Sequence, residues 1–443
     1  MPLNAREVAL KVLSSYRRRG AWAGDALASI ITEGELSKRD GALASTIVLG
    51  VLQNITLLDF YLSSYLTCNS DKLEPLVSDI LRLSAYQLVF LNRVPAHAAV
   101  SEGVKLAKKH ANPRAASLVN AVLRKIAANL ATLPPLPEKN MVEHLAIRYS
   151  HPKWLVKELI NTIGYDGAQE YLKEDNSTVP VTVQVNSLRY RQDEVILRLS
   201  EDGCMPEKHP WLENALILPS PGNFLLTSAF SDGLFYVQDV AARLAVTASS
   251  VKPGMTVIDG CASPGGKSFA AAVDMNNRGR IISCDLNVKK LLRIAEGAER
   301  LGISIIKTRK QDAKTPDDQL KAAADVVFAD VPCSGLGVIR KKPEIRWKNP
   351  DEFSELPDIQ LGILRGLSSC LKPGGILIYS TCTVLKSENE GVCHRFLAEN
   401  KDFIAEPFEL PAPLSFQESG MLTLWPHLHG TDGFFICRLK RIK

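Results

Sequence analysis

The sequence contains no stretch of about eighteen uncharged apolar residues, the length a helix needs to cross a bilayer, so no membrane segment is expected. Its opening, MPLNAREVALKVLSSYRRRG, carries charges where a secretory signal would need an apolar run. The nine cysteines include no CxxC pair and no Cys/His cluster at metal-ligand spacing. That argues against structural zinc and against a secreted disulfide framework, and a reducing cytoplasm with no metal is the expectation. Internal repeats and low-complexity tracts are missing too, which excludes a repeat array.

What is present is an ordinary globular composition over 443 residues, too long for one core and enough for two or three domains. The net charge of +5 is uneven, because residues 1–130 hold sixteen Lys and Arg against ten Asp and Glu. Such an excess fits a polyanionic partner, and it fits a solvated helix face equally well.

From Ala5 to about Leu130, apolar residues recur at three- and four-residue spacing, as in AREVALKVL and LRLSAYQLVFL, which predicts an all-α domain over 1–130. Ser37 and Pro95 punctuate helix boundaries. The Pro-rich stretch 131–140 (ATLPPLPEKN) is a linker. Residues 141–237 change texture, with one or two helices followed by the strands PVTVQVNSLRY and ALILP, a small α+β module. From Gln238 to Lys443 strands and helices alternate, which means a doubly wound α/β domain on a mostly parallel sheet.

The strongest local signal is VIDGCASPGGKS, a strand entering a Gly-rich turn and then a helix. Gly265 and Gly266 admit close backbone approach, and the helix start favours an anionic group. Cys261 stands where a P-loop would need glycine, so nucleotide hydrolysis is not expected. Carboxylates recur at successive strand ends: Asp259, then Asp285 twenty-six positions later where such folds grip a ribose diol, then Asp312 and Asp330. Together they line one crevice and suit a nucleoside-type cofactor. Two strand ends also carry a cysteine, Cys333 in ADVPCSGLG and Cys382 in IYSTCTV, where a thiol can be lowered toward thiolate. Cys370, Cys393 and Cys437 are expected to be small buried hydrophobes.

At YVQDVAA, DGCASPGGKS, SCDLN, DVPCSGLGVIRKKPEIRW, YSTCTVLKSENE and DGFFICRLKR, the sequence resembles the RNA cytosine-C5 methyltransferases, in particular the bacterial 16S rRNA enzymes called RsmB, Sun or Fmu. The match spans nearly the whole chain, and the N-terminal helices resemble the NusB-type RNA-binding fold. Gly260, Ser263, Ser268 and the SGLG stretch depart mildly from the family pattern.

The resemblance implies a Rossmann-like methyltransferase domain on a mostly parallel seven-stranded sheet, with S-adenosylmethionine as cofactor and an RNA-binding middle module. It implies that Cys382 attacks carbon 6 of the cytosine, making carbon 5 enamine-like. Cys333 then assists proton removal and product release, while Asp330 supports the flipped base. For the cofactor it implies the loop Cys261, Ala262, Ser263, Pro264, Gly265, Gly266 and Lys267 at the methionine end. Asp285 falls to the ribose, and Asp312 and Asp330 to the adenine side or the transfer centre. Strand-end chemistry alone does not choose between the two cysteines.

The expected partner is small-subunit rRNA, with no membrane, no DNA and a monomeric state. RNA contacts are expected from the basic N-terminal domain, from Arg340, Lys341, Lys342, Arg346, Trp347 and Lys348, and from the tail 438–443, although simple packing suits Trp347 as well. Three rivals stand beside this: a tRNA substrate, a non-catalytic RNA-binding assembly or antitermination factor, and a nicotinamide-dependent dehydrogenase, which lacks its GxGxxG turn.

Overall fold

A computed structural model describes residues 4–20, 22–33, 36–67, 72–219 and 224–443. The chain forms two compact units, Met1–Ser177 with Ile339–Lys348, and Thr178–Val338 with Asn349–Lys443. Their boundary falls at Ser177, inside the stretch that the sequence groups into one α+β module.

The first unit is helical: α1 (Ala5–Arg19), α2 (Ala23–Glu33), α3 (Lys38–Gln53), α4 (Ile55–Tyr65), α5 (Pro75–Phe90), α6 (Ala96–His110), α7 (Pro113–Ala128), α8 (Met141–Arg148) and α9 (Lys153–Glu174). The predicted punctuation holds. The Ser37 hydroxyl accepts from the Asp40 N–H to cap α3, and Pro95 immediately precedes α6. Apolar residues at helical spacing, such as Val8, Val12, Ile47, Val51, Ile80 and Leu83, meet in one core. Each large aliphatic side chain buried there contributes roughly 1.5–3 kcal/mol.

The segment Ile339–Lys348 corrects a sequence expectation. Arg346 is fully buried, and its guanidinium donates to the carbonyls of Gln53, Tyr149, Ser150 and Asp175 and to Asn176 Oδ1. Burial lowers its pKa to about 10, against the opposing pull of Asp175. Arg340 pairs with Glu174 at 2.7 Å, and Trp347 Nε1 donates to the Leu52 carbonyl at 2.9 Å. A planar guanidinium with this many carbonyl acceptors is a structural fastener, so Arg340, Arg346 and Trp347 hold this segment in the helical unit rather than facing RNA. Lys342 and Lys348 instead sit 5.0 and 5.2 Å from the Trp22 ring.

The second unit begins with a four-stranded sheet of β1 (Val181–Val185), β2 (Glu207–Lys208), β3 (Ala215–Leu218) and β4 (Phe235–Val237), ordered β2-β3-β1-β4, with α10 (Gln192–Glu201) and the short α11 (Ser228–Ser231). The larger sheet contains β5 (Thr256–Asp259), β6 (Arg280–Asp285), β7 (Ile306–Lys310), β8 (Ala324–Asp330) and β9 (Leu371–Thr381). Its helices are α12 (Val240–Ser249), α13 (Gly266–Asp274), α14 (Val288–Leu301), α15 (Leu356–Ser368) and α16 (Glu390–Glu399). After β10 (Phe403–Ala405), the small pair β11 (Phe408–Glu409) and β12 (Phe416–Gln417), β13 (Met421–Leu424) and α17 (Pro426–His429), the chain closes with β14 (Phe434–Arg441).

The order is β10-β14-β9-β8-β5-β6-β7. All pairs from β7 to β9 are parallel, whereas β14 runs antiparallel against β9. That path has the expected seven strands, and β13, pairing with β14, makes an eighth.

Alternation of side chains across the sheet explains the apolar strand sequences. Val257, Ile281, Val326, Phe328 and Ile378 pack on the face covered by α12, α13 and α14, while Ile258, Ile282, Val327, Ala329 and Leu377 pack on the face of α15 and α16. Both faces are covered, so the middle of β8, residues 326–329, reads as a continuous apolar run. Cys370, Cys393 and Cys437 are buried, as expected. In β14, Arg438 and Lys440 of the basic tail pair with Glu406, and Arg438 also donates to the Ala248 carbonyl. Strand order reverses on either side of β5, which opens a crevice at the carboxyl ends of β5 and β8.

Candidate active site

Every sequence-singled carboxylate lies at that carboxyl edge. Asp259, Asp285 and Asp330 end β5, β6 and β8, and Asp312 follows β7 by two residues. After β5 the chain turns through a cis Ser263–Pro264 bond to Gly265, whose φ of 109° belongs to glycine and lets α13 begin at Gly266. The Ala262 N–H donates to the Cys284 carbonyl and the Gly265 N–H to the Ala262 carbonyl, which fixes the loop.

Two cavities share this edge. The larger, of about 600 Å³, is lined by Asp285, Asn287 and Asp312, by apolar Leu286, Ile359 and Ile363, and by Cys333. The smaller, of about 270 Å³, is lined by Gln238, Asp259, Ala262, Pro264, Gly266, Lys267, Asp432 and Phe434. Cys261, Ser263, Asp330 and Cys382 line both, so these residues form their common wall. Gly265 lines neither and serves the turn.

Lys267 is buried, with Nζ 2.7 Å from Asp330 Oδ2 and 5.2 Å from the Phe434 ring centroid. Ser380 Oγ donates to the other Asp330 oxygen at 2.7 Å. The carboxylate is thereby aimed, and the ammonium lies over an aromatic face that favours its charge. Asp259 is fully buried and accepts from Ser268 Oγ at 2.8 Å; burial pushes its pKa up to about 7. Asp285 Oδ1 accepts from the Asn287 N–H, and Asp312 Oδ1 from the Lys314 N–H, both at 2.8 Å, which anchors one oxygen of each carboxylate.

The two thiols converge because β8 and β9 are parallel neighbours, with Asp330 opposite Ser380. Cys333 Sγ lies 3.1 Å from Cys382 Sγ and accepts from the Cys382 N–H at 3.3 Å. That thiol hydrogen bond, with burial second, raises the Cys333 pKa well above its ordinary value.

Behind the thiols lies a network that sequence inspection did not single out. Glu388 Oε2 accepts from the Ser334 N–H at 3.0 Å and from Gln360 Nε2 at 2.8 Å, while Gln360 Nε2 also donates to the Pro332 carbonyl. Thr381 Oγ1 donates to Asn389 Oδ1 at 2.6 Å, and Asn389 Nδ2 to the Thr383 carbonyl. Glu388, Asn389 and Gln360 are all buried, which pins the loops on either side of each cysteine. The acidic SENE run after Cys382 was the available signal, but charge in a loop reads as solvated. Gly337 completes the frame. Its N–H donates to the Cys382 carbonyl, and a Cβ there would come within 1.8 Å of the Gly433 carbonyl oxygen.

Among the described residues, no group of three or more His, Cys, Asp or Glu could hold a metal ion, and no single helix is long and apolar enough to cross a membrane.

Comparison with known proteins gives a consistent picture. Residues 246–440 match the model of the 16S rRNA methyltransferase RsmB/F family, residues 3–128 the NusB family, and residues 151–224 the ferredoxin-like domain of RsmF/B-like methyltransferases. The probable ribosomal RNA small subunit methyltransferase B of Bacillus subtilis (strain 168) is 36% identical over 99% of both chains. Among solved structures, PH0851 superposes with a TM-score of 0.80 at 27% identity, covering 98% of this chain and 97% of its own. NSun6 from Pyrococcus horikoshii with SFG shares the fold, at a TM-score of 0.58 and 22% identity over 66% of this chain and 98% of its own.

Proposed function

This chain belongs to the family of ribosomal RNA small subunit methyltransferase B, and from that membership we propose that it methylates carbon 5 of a cytosine in 16S rRNA through a covalent bond from Cys382 to carbon 6. Membership makes it an rRNA methyltransferase with a NusB-like helical domain. The observation that carries the proposal is the 3.1 Å pair of thiols, with Cys382 on the common wall of two cavities and Cys333 on the larger, one cavity suited to a nucleoside cofactor and one to a base.

The donor set of the larger cavity fits S-adenosylmethionine. The second oxygen of Asp285 suits a ribose diol, Leu286, Ile359 and Ile363 suit a purine face, and Asp312 suits an exocyclic amine. The loop of Cys261, Ser263 and Gly266 suits the methionine end. When bound, S-adenosylmethionine supplies an electrophilic methyl group. SFG, an analogue of it, accompanies the Pyrococcus horikoshii NSun6 structure.

Carbon 5 of cytosine is a weak nucleophile, so the enzyme must first activate the ring. Thiolate addition from Cys382 to carbon 6 forms a C–S bond and moves an electron pair toward N3, leaving carbon 5 enamine-like. Asp330, held by Lys267 and Ser380, accepts from the base's amino group and supports the charge. After methylation the carbon 5 proton passes to water with the assistance of Cys333, whose sulfur lies 3.1 Å from that of Cys382, and the C–H electron pair expels the Cys382 sulfur as thiolate.

We assign residues 1–130 to the NusB-like RNA-binding domain, 131–140 to a linker, 141–237 to a small RNA-binding module and 238–443 to the methyltransferase domain. The test is incubation of the whole chain with labelled S-adenosylmethionine and 16S rRNA, followed by bisulfite sequencing. Label on a cytosine at carbon 5 is expected; label on tRNA alone, or none, overturns the proposal.

A further inference from the structure

Gln238 stands between β4 and α12, and its backbone is fixed on both sides. Val237 pairs with Val183 of β1, the Gln238 carbonyl accepts from Gln184 Nε2 at 3.2 Å, and Asp239 caps α12. Its side chain is 6% exposed, yet neither Oε1 nor Nε2 has a hydrogen-bond partner. Buried carboxamides are as a rule satisfied, so an open one on a cavity wall marks a group whose partner arrives from outside. It lines the 270 Å³ cavity with Lys267, Asp330, Cys382 and Phe434. Gly266 gives it room: a Cβ there would stand 3.3 Å from Nε2.

Resting on the cytosine assignment above, we propose that Gln238 is a specificity-determining residue that reads the polar edge of the target base. Its Oε1 accepts from the 4-amino group and its Nε2 donates to N3. A primary amide is the neutral side chain that offers an acceptor and a donor side by side, and cytosine presents the complement. Lys267 offers only donors, and Asp330 is an acceptor when ionised. The base that completes the Gln238 pair is thereby oriented with its reactive edge in the cavity that Cys382 lines.

The experiment uses the whole enzyme, its S-adenosylmethionine and two RNAs, one with cytosine and one with pyrimidin-2-one, which lacks the 4-amino group, at the target position. Single-turnover incorporation of labelled methyl is read for the wild type, Gln238→Met and Gln238→Glu. On cytosine RNA, Gln238→Met is expected to lose about ten- to hundredfold in kcat/KM, with the KM for the methyl donor unchanged. On the analogue RNA the loss shrinks severalfold, because the partner of Oε1 is already missing. Gln238→Glu keeps the size and the acceptor, falls between the two on cytosine RNA, and serves where the methionine variant does not fold. Equal losses on both RNAs, or a loss below about twofold, overturn the proposal. A wild type that leaves carbon 5 of cytosine unmethylated overturns the cytosine assignment itself, and does so before any variant is compared.

Discussion

Cys333 Sγ lies 3.1 Å from Cys382 Sγ although the residues are 49 positions apart, and Cys333 also accepts a hydrogen bond from the Cys382 N–H. The parallel pairing of β8 and β9 brings these two thiols into one contact, and the proposed chemistry rests on that pair.

The two thiols should respond oppositely to removal. Cys382→Ala is expected to abolish methylation with no trapped RNA, since no C–S bond can form. Cys333→Ala is expected to leave a covalent protein–RNA adduct on a denaturing gel. An adduct in the Cys382 variant instead would reverse the assignment.

Glu388 should matter through the loop that carries Cys333. Glu388→Ala leaves the Ser334 N–H and Gln360 Nε2 without their buried acceptor, at a cost of about 1–3 kcal/mol for each unmet group. A lower melting temperature and a fall in kcat are expected. Glu388→Gln, which retains an acceptor oxygen, should recover most of the stability; equal melting temperatures for wild type and Glu388→Ala would dismiss this role.

Arg346→Met should destabilise the protein strongly. It takes the guanidinium donor from the carbonyls of Gln53, Ser150 and Asp175 and leaves buried Asp175 without a cationic neighbour, and breaking such a site by one partner costs roughly 3–5 kcal/mol. Urea denaturation reads this directly. RNA affinity of the folded variant, and its slope with salt, should stay as in the wild type.

Asp259 gives stability a pH dependence of definite sign. Its folded pKa is raised from the ordinary 3.8 to about 7, first by burial, so the folded state binds more protons than the unfolded state across that window. This contribution is complete below about pH 4 and is lost as pH rises through about 7. Asp259→Asn should flatten that segment of a melting-temperature profile relative to wild type; an unchanged profile would count against the raised value.

RNA binding should weaken steeply with salt if the basic N-terminal domain neutralises phosphates. Between roughly 50 and 200 mM salt the affinity should fall by an order of magnitude or more. A constant affinity would remove the electrostatic contribution.

Much of the architecture was legible in local pattern. Helical spacing marked α1 to α7, and apolar runs ending in Asp259, Asp285 and Asp330 marked β5, β6 and β8. The eighth strand escaped because β13 is four residues with only Leu424 buried, too short and too exposed for an alternating signature. Arg346 and Trp347 resembled an RNA-gripping run, since sequence shows charge and aromaticity but not desolvation.

Sequence by itself determined the order of elements, the carboxylates and cysteines at the strand ends, and the glycines of the turn after β5. Those depend on periodicity and on backbone preferences within a few residues. Only the tertiary structure decided that Cys333 and Cys382 meet, that Glu388 and Asn389 are buried supports rather than solvated loop residues, and that the Gln238 amide faces a cavity unpartnered. These are matters of which distant groups meet and which lose their water, and burial sets them where no local pattern can.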